Sequence, residues 1–179
     1  PDGSTTRPEL VLAPADLPAE AMAAAWFKPN PGQTSFFRTQ YTPGMIDALS
    51  EPLQNKALGV KDRFGVVSDV FATTEAGLTD SVTALKLVAC LRDESDYVVW
   101  NAVAGGLSGL VTIIEEDGPK PKFDEFGQWV TQPNVTRLSW KPAAGEAPFD
   151  TLMRPQVLQL AVRFGNADVT AEARRQFDS

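Results

Sequence analysis

Val60-Lys-Asp-Arg-Phe-Gly-Val-Val-Ser-Asp-Val-Phe-Ala-Thr-Thr-Glu75, then Ala-Gly77-Leu-Thr79-Asp80, then Ser81-Val-Thr-Ala-Leu-Lys-Leu-Val-Ala-Cys-Leu-Arg92, is the stretch that decides the fold. Val60, Phe64, Val67, Val70, Phe71 and Thr74 recur at helical steps, which puts them on one side of a helix. Gly77 can take the left-handed backbone that a helix stop often needs. Thr79 then stands as N-cap of a second helix, with Asp80 in its first turn. The second helix carries Val82, Leu85, Val88, Ala89 and Arg92. A helical hairpin with apolar surface on both flanks needs neighbours to cover it, so the expected fold is mainly α, a stack of antiparallel helical hairpins.

Downstream, Asp93-Glu94-Ser95-Asp96 reads as an acidic surface turn, with Ser95 or Asp96 able to cap the next helix. That helix is expected to reach about Glu116 and to bury Val99, Ala102, Val103, Gly106, Leu107, Leu110, Val111 and Ile114. Gly105, Gly106 and Gly109 are not followed by the Lys-Ser or Lys-Thr of a phosphate loop. Their small size is read instead as letting a neighbouring helix come close. Glu115-Glu116-Asp117 reads as a solvated helix end and not as a metal site. Pro119 and Pro121 punctuate a linker, and Phe123, Phe126, Trp129 and Val130 open another helix, which Pro133 either kinks or ends. Leu152, Met153, Val157, Leu158, Ala161 and Phe164 give the following helix its apolar side. Gly165 stops it, and Asp168 caps a last helix from Val169 to Phe177.

Upstream, Met45, Ile46, Leu49 and Leu53 define a short helix to Asn55, its second half weakened by Pro52. Before it, Thr34 to Tyr41 alternates, with Phe37, Thr39 and Tyr41 on one face and Phe36, Arg38 and Gln40 on the other. The turn formers Pro29-Asn30-Pro31-Gly32 separate this run from Trp26-Phe27-Lys28. The pattern predicts a β-hairpin, marginal alone and therefore part of a larger sheet. Leu10-Val11-Leu12, bracketed by Pro8 and Pro14, fits only an edge strand.

The net charge is −7 and no Lys or Arg run forms the footprint that a phosphate backbone requires, so nucleic acid is not an expected partner. For the same reason the aromatic stripe at Phe123 to Trp129 reads as core and not as a base-stacking platform. Apolar stretches are broken well before about 18 residues, so neither a membrane span nor a signal peptide is expected. Histidine is absent. That excludes, within this chain, a His-based triad, an HExxH zinc site and any imidazole acid or base. Cys90 is the single cysteine, which leaves no internal disulfide. With no evident base beside it, it reads as a buried structural thiol and not as a reactive one.

Trp26-Phe-Lys-Pro-Asn-Pro-Gly-Gln33, Phe37-Arg38-Thr39-Gln40-Tyr41, and Lys61-Asp62-Arg63-Phe64 leading to Ser68-Asp69-Val70-Phe71 together resemble the C-terminal half of the M1 zinc aminopeptidases, the puromycin-sensitive cytosolic type above all. Leu138-Ser-Trp140-Lys, Gly145-Glu146 and Phe149-Asp-Thr-Leu-Met-Arg154 continue the resemblance, which spans about Trp26 to Phe177. It implies residues 1–42 as the remnant of a β-sandwich domain, with strands near 9–12, 26–28 and 34–41. Residues 43–179 are then the N-terminal part of a HEAT-like helical repeat domain, truncated at its C-terminal end. It also implies that the zinc ligands, the general-base Glu and the transition-state Tyr lie upstream, since Tyr41 and Tyr97 fall in C-terminal motifs. The fragment is then a chamber wall with no catalytic residue, metal or cofactor of its own. Zinc belongs to the parent protein, the partners are the upstream catalytic domain and peptide substrates, and the compartment is the cytoplasm.

Within the fragment the resemblance singles out three residues. Arg154 matches an Arg that holds the far end of long peptides in peptide-trimming relatives, a task that suits a guanidinium fork. Its Tyr and Lys companions are here Val111 and Thr112, and the alternative is a structural ion pair. Asp62 and Arg63 recur as a pair in the family and read as a cap and a salt bridge fixing the turn. The competing reading of the whole chain is a self-standing helical repeat that binds a protein partner on a concave surface.

Overall fold

Seven helices and one short 3-10 turn hold the residues described in this computed structural model, 24–117 and 119–179 with the side chains of 115–117 excepted, and no strand occurs among them. In chain order the helices are α1 (Pro43–Gln54), α2 (Val60–Glu75), α3 (Ser81–Cys90), α4 (Tyr97–Asp117), α5 (Lys120–Leu138), α6 (Pro148–Arg163) and α7 (Ala167–Phe177). The chain is mainly α, as its periodicity predicts.

Local chemistry sets most boundaries. The Thr42 side chain accepts from the Met45 N–H and Pro43 occupies the first turn of α1, where its missing donor costs nothing. Gly77 closes α2 at φ 72°, a value that favours glycine. Asp80, not Thr79, caps α3, accepting the Thr83 N–H at 2.8 Å, while Thr79 turns back to Thr73 at 2.9 Å. Of the two candidates before α4, Asp96 is the cap, accepting the Val98 N–H at 2.9 Å. Asn166, not Asp168, caps α7 through the Val169 N–H.

Pro133 lies inside α5 without ending it. The carbonyl it leaves without a partner, four residues back at Trp129, accepts Arg92 Nε at 3.1 Å, and the Arg92 guanidinium also lies 4.8 Å from the Trp129 ring. A side chain from the end of α3 thus repairs the backbone of α5.

Helices α2, α4 and α6 lie side by side, α1 lies beside α3, and α2–α3, α5–α6 and α6–α7 pack as sequential pairs. Contact between helices two apart as well as between neighbours is what a stack of helical pairs produces. One buried cluster runs through α1 to α6, with Trp100, Leu107, Met153 and Phe164 fully inside, and a second, of Leu158, Ala161 and Val169, joins α6 to α7. The close approaches occur at glycines. A Cβ on Gly106 of α4 would lie 2.3 Å from the Phe71 ring of α2, and one on Gly127 of α5 would lie 2.1 Å from the Phe164 ring. Gly105 has nothing within 4 Å, so of the glycine cluster in α4 it is Gly106 that admits a neighbour.

The phase of two helices differs from the expected one. On α3 the buried stripe is Ala84, Leu87, Val88 and Leu91, whereas Val82 is 63 % exposed. On α2, Val66 and Val67 are buried while Val60 and Phe64 are more than a third exposed. Both helices carry apolar residues around most of their circumference, so periodicity alone does not choose the face, and neighbouring helices do. The window Tyr97–Ile114 of α4, with mean hydropathy 1.6, meets the length and composition of a membrane span, contrary to the sequence expectation. Within the structure 44 % of that window is buried, because α4 lies between α2 and α6.

Residues 26–28 and 34–41 do not form the expected β-hairpin. Asn30 and Gln33 take left-handed φ values of 52° and 56° around the 3-10 turn Pro31–Gln33. The backbone groups that a hairpin would pair find side chains of α2 instead: Gly32 N–H donates to Asp62 Oδ1 at 2.7 Å and Thr39 N–H to Asp69 Oδ2 at 3.2 Å. The strand expected at 9–12 lies outside the described residues, as do the side chains of Glu115-Glu116-Asp117.

Candidate functional site

The stretches that carried the family resemblance lie against one another. Residues 32–39 run parallel to α2: Gly32 meets Asp62, Gln33 covers Gly65, and Arg38 donates to Ser68 Oγ at 2.6 Å and to Asp69 Oδ1 at 3.1 Å. A Cβ on Gly65 would fall 1.4 Å from Gln33 Nε2, so a larger residue there would displace the Gln33 carboxamide. Lys28 is buried and places its Nζ 2.7 Å from Asp62 and 2.6 Å from the Asn30 carbonyl. Asn30 in turn folds the loop by exchanging hydrogen bonds with Ser35, through its Nδ2 to the carbonyl and its Oδ1 from the N–H, each 2.8 Å. Two carboxylates two turns apart on α2 therefore strap the leading segment down. Tyr41 follows that segment into the core, and burial first, then the Asp69 charge, pushes its phenol well above the ordinary tyrosine range.

Arg63 points the other way, into the α3–α4 turn. Its Nε donates to Glu94 Oε2 at 2.6 Å, its Nη2 to Glu94 Oε1 at 3.3 Å and its Nη1 to the Leu58 carbonyl at 2.6 Å. Glu94 also accepts the Ser95 and Asp96 N–H groups at 2.9 Å, and its own carbonyl accepts Asn134 Nδ2 of α5 at 2.8 Å. The turn that reads as solvated from its charge has one buried carboxylate at its centre. Burial raises the Glu94 carboxyl, but the Arg63 hydrogen bonds, the Asp96 N–H and the charges of Arg63 and Lys56 outweigh it and hold the group below the usual carboxylate range.

Arg154 is buried on α6. Its Nε donates to the Leu138 and Ser139 carbonyls at 3.1 and 3.2 Å, and its Nη2 pairs closely with Glu146. These contacts tie the 139–147 loop to both flanking helices. Nearby, Arg137 pairs with Asp150 at 2.7 Å. Val111 lies buried and Thr112 exposed on α4.

Among the described residues these ion pairs hold segments of the chain in place. Cys90 Sγ lies 3.2 Å from Ser50 Oγ and from the Lys86 carbonyl, in the wall of a cleft of about 300 Å³ that Lys56, Arg92 and Trp129 also line. Among the described residues no group of three His, Cys, Asp or Glu side chains is placed to hold a metal. The residues present do not fit a zinc site, since there is no His and one Cys.

Asp62, Arg63 and Arg154 were legible as residues to watch, but their partners were not: Lys28, Glu94 and Glu146. Lys28 and Glu146 stood inside motif stretches, which was a signal. Glu94 sat among three other acidic or polar residues and carried none.

The model of the ERAP1-like C-terminal domain matches residues 26–179, and the chain belongs to that family. Among curated relatives, it is 30% identical over 155 residues to aminopeptidase M1-D of Oryza sativa subsp. japonica, covering 85% of this chain and 18% of that protein. It is 29% identical over 158 residues to aminopeptidase M1 of Arabidopsis thaliana, covering 87% and 18%, and 27% identical over 166 residues to glutamyl aminopeptidase of Mus musculus, covering 91% and 17%. The chain spans less than a fifth of the length of these relatives.

Proposed function

We propose that this chain is the leading part of the helical domain of a zinc aminopeptidase, where it walls the chamber in which peptides lose their N-terminal residues and does no bond-breaking itself. The observation that carries this reading is the family match over residues 26–179 together with aminopeptidase relatives of which the chain spans less than a fifth. The absence of histidine supports placing the zinc and its chemistry in another part of the protein. The strapped segment 24–42 is then the run-in from an upstream domain, and its exposed Trp26, Phe36 and Phe37 are the surface that would meet that domain.

Within this reading Asp62 and Arg63 position the leading segment and the α3–α4 turn. Arg154 holds the 139–147 loop through Glu146, and any contact it makes with peptide passes through that loop. A cytoplasmic setting, of the puromycin-sensitive type, is part of the same proposal and draws on the single cysteine. The test is zinc content and aminopeptidase assay on the 179-residue chain and on the longer protein that contains it. The expected result is metal and activity in the longer protein alone; tightly held zinc or peptide hydrolysis in the short chain overturns the proposal.

A further inference from the structure

Between 24 and 40 the only buried residues are Lys28 and Asn30, both polar. No apolar side chain of this segment joins the buried cluster, and the first residue to do so is Tyr41. Polar contacts alone hold the segment to α2: Lys28 and the Gly32 N–H on Asp62, Arg38 on Ser68 and Asp69, and the Thr39 N–H on Asp69. Gln40 Nε2 adds a hydrogen bond to the Leu78 carbonyl, just past α2, at 2.7 Å. Two costs stand against that hold, both at Gln33. Its backbone is left-handed at φ 56°, which a residue with a side chain seldom adopts, and its Nε2 is buried over Gly65 with no acceptor.

We infer that residues 24–40 form a clasp that lifts off α2 as a unit while the helices stay folded, so that salt concentration sets how firmly the chain before Tyr41 is held to the stack. A segment without buried apolar contacts lacks the hydrophobic term that would tie it to the global transition, and such segments open locally. The Arg38 side chain is 59 % exposed, so added salt weakens its pair with Asp69. Lys28 and Asp62, 2 % and 19 % exposed, keep the closed position specific. Opening frees Gln33 from its left-handed backbone and hydrates its carboxamide. Tyr41 in the core and Pro43 in the first turn of α1 bound the part that moves. Under the chamber-wall reading the clasp is the joint between the upstream domain and the helices, but the device is a property of this chain and does not depend on that reading.

Native-state hydrogen exchange on the 179-residue chain, read by NMR in rising urea, tests it. The amides of Gly32, Ser35 and Thr39 should be at least about tenfold less protected than those of Val103 and Leu107 in α4. Their exchange should also be nearly flat in urea, since the clasp exposes little apolar surface on opening. Raising NaCl from about 0.01 M to about 1 M, which cuts the Debye length from about 30 Å to about 3 Å, should speed the clasp amides about three- to fivefold and the α4 amides not at all. Gly65→Leu, a wedge under Gln33, should speed clasp exchange about tenfold or more with α4 protection kept, and Arg38→Met should speed it about threefold. Clasp amides that share the protection and urea slope of α4, clasp exchange indifferent to salt, or unchanged clasp protection in a folded Gly65→Leu chain overturns the inference. If the leucine unfolds α2, the urea and salt profiles of the wild type still decide.

Discussion

Arg63 and Glu94, thirty-one positions apart, form a forked ion pair at the centre of the helical stack, with both side chains almost wholly buried and Nε 2.6 Å from Oε2. The pair joins the start of α2 to the α3–α4 turn, and through the Glu94 carbonyl and Asn134 it reaches α5. A buried pair of this kind is weak evidence for net stability but strong evidence for register, because either member alone is an uncompensated charge. Arg63→Met should therefore destabilise the chain by about 3–5 kcal/mol, and the double change Arg63→Met with Glu94→Gln should recover part of that loss, both read from urea unfolding.

The same pair sets an acid response. The Glu94 carboxyl titrates in the folded chain below its ordinary value of 4.5. Its contribution is thus complete above that pH and is lost as the pH falls from there through the folded-state value. Unfolding free energy measured across this acid range should fall more steeply for the wild type than for Glu94→Gln. Parallel slopes would remove Glu94 as a titrating support.

Two amides report on the strap that holds the leading segment. Gly32 and Thr39 donate to Asp62 and Asp69, not to a neighbouring strand. Asp62→Asn and Asp69→Asn should each raise hydrogen exchange at the matching amide, while core amides of α4 keep their protection. Exchange that stays slow at Gly32 and Thr39 in both variants would show that those carboxylates are not what orders the segment.

How far the sequence revealed all this depended on the kind of constraint. Helix positions followed from local chemistry, so Gly77 and Asp96 mark ends that could be read directly. Pro133 could not be read, because its effect is undone by Arg92 from another helix. The hairpin expectation failed for a similar reason: the alternation in 34–41 is real, but its backbone partners are carboxylates on α2. Glu94 is the plainest case, an acid in an acidic turn whose burial depends on Arg63. Long-range pairing, not local pattern, decides such positions.

The Arg154–Glu146 contact makes a prediction about the loop it closes. Glu146 is held below the ordinary carboxylate range chiefly by the Arg154 hydrogen bond. Glu146→Ala should leave the helices intact and speed subtilisin cleavage between Ser139 and Ala147, and Arg154→Ala should do the same. Arg154→Lys should restore only part of the protection, since one ammonium cannot serve two carbonyls and a carboxylate with the same geometry. If the loop is cut no faster in either alanine variant, the anchoring role of Arg154 fails.

Neighbouring glycines on α4 give a paired test of packing. At Gly105 an added methyl meets open space, so Gly105→Ala should stabilise the chain by about 0.5–1 kcal/mol through helix propensity alone. At Gly106 the same methyl would lie 2.3 Å from the ring of Phe71, which is buried in the core. Overpacking of that kind costs about 1–3 kcal/mol, more than propensity returns. Thermal unfolding should therefore move in opposite directions, by about 2–4 °C per kcal/mol at this chain length. A Gly106→Ala chain that melts at or above the wild-type temperature would mean that α2 and α4 do not approach through this contact, and the stacking of the even-numbered helices would need to be redrawn.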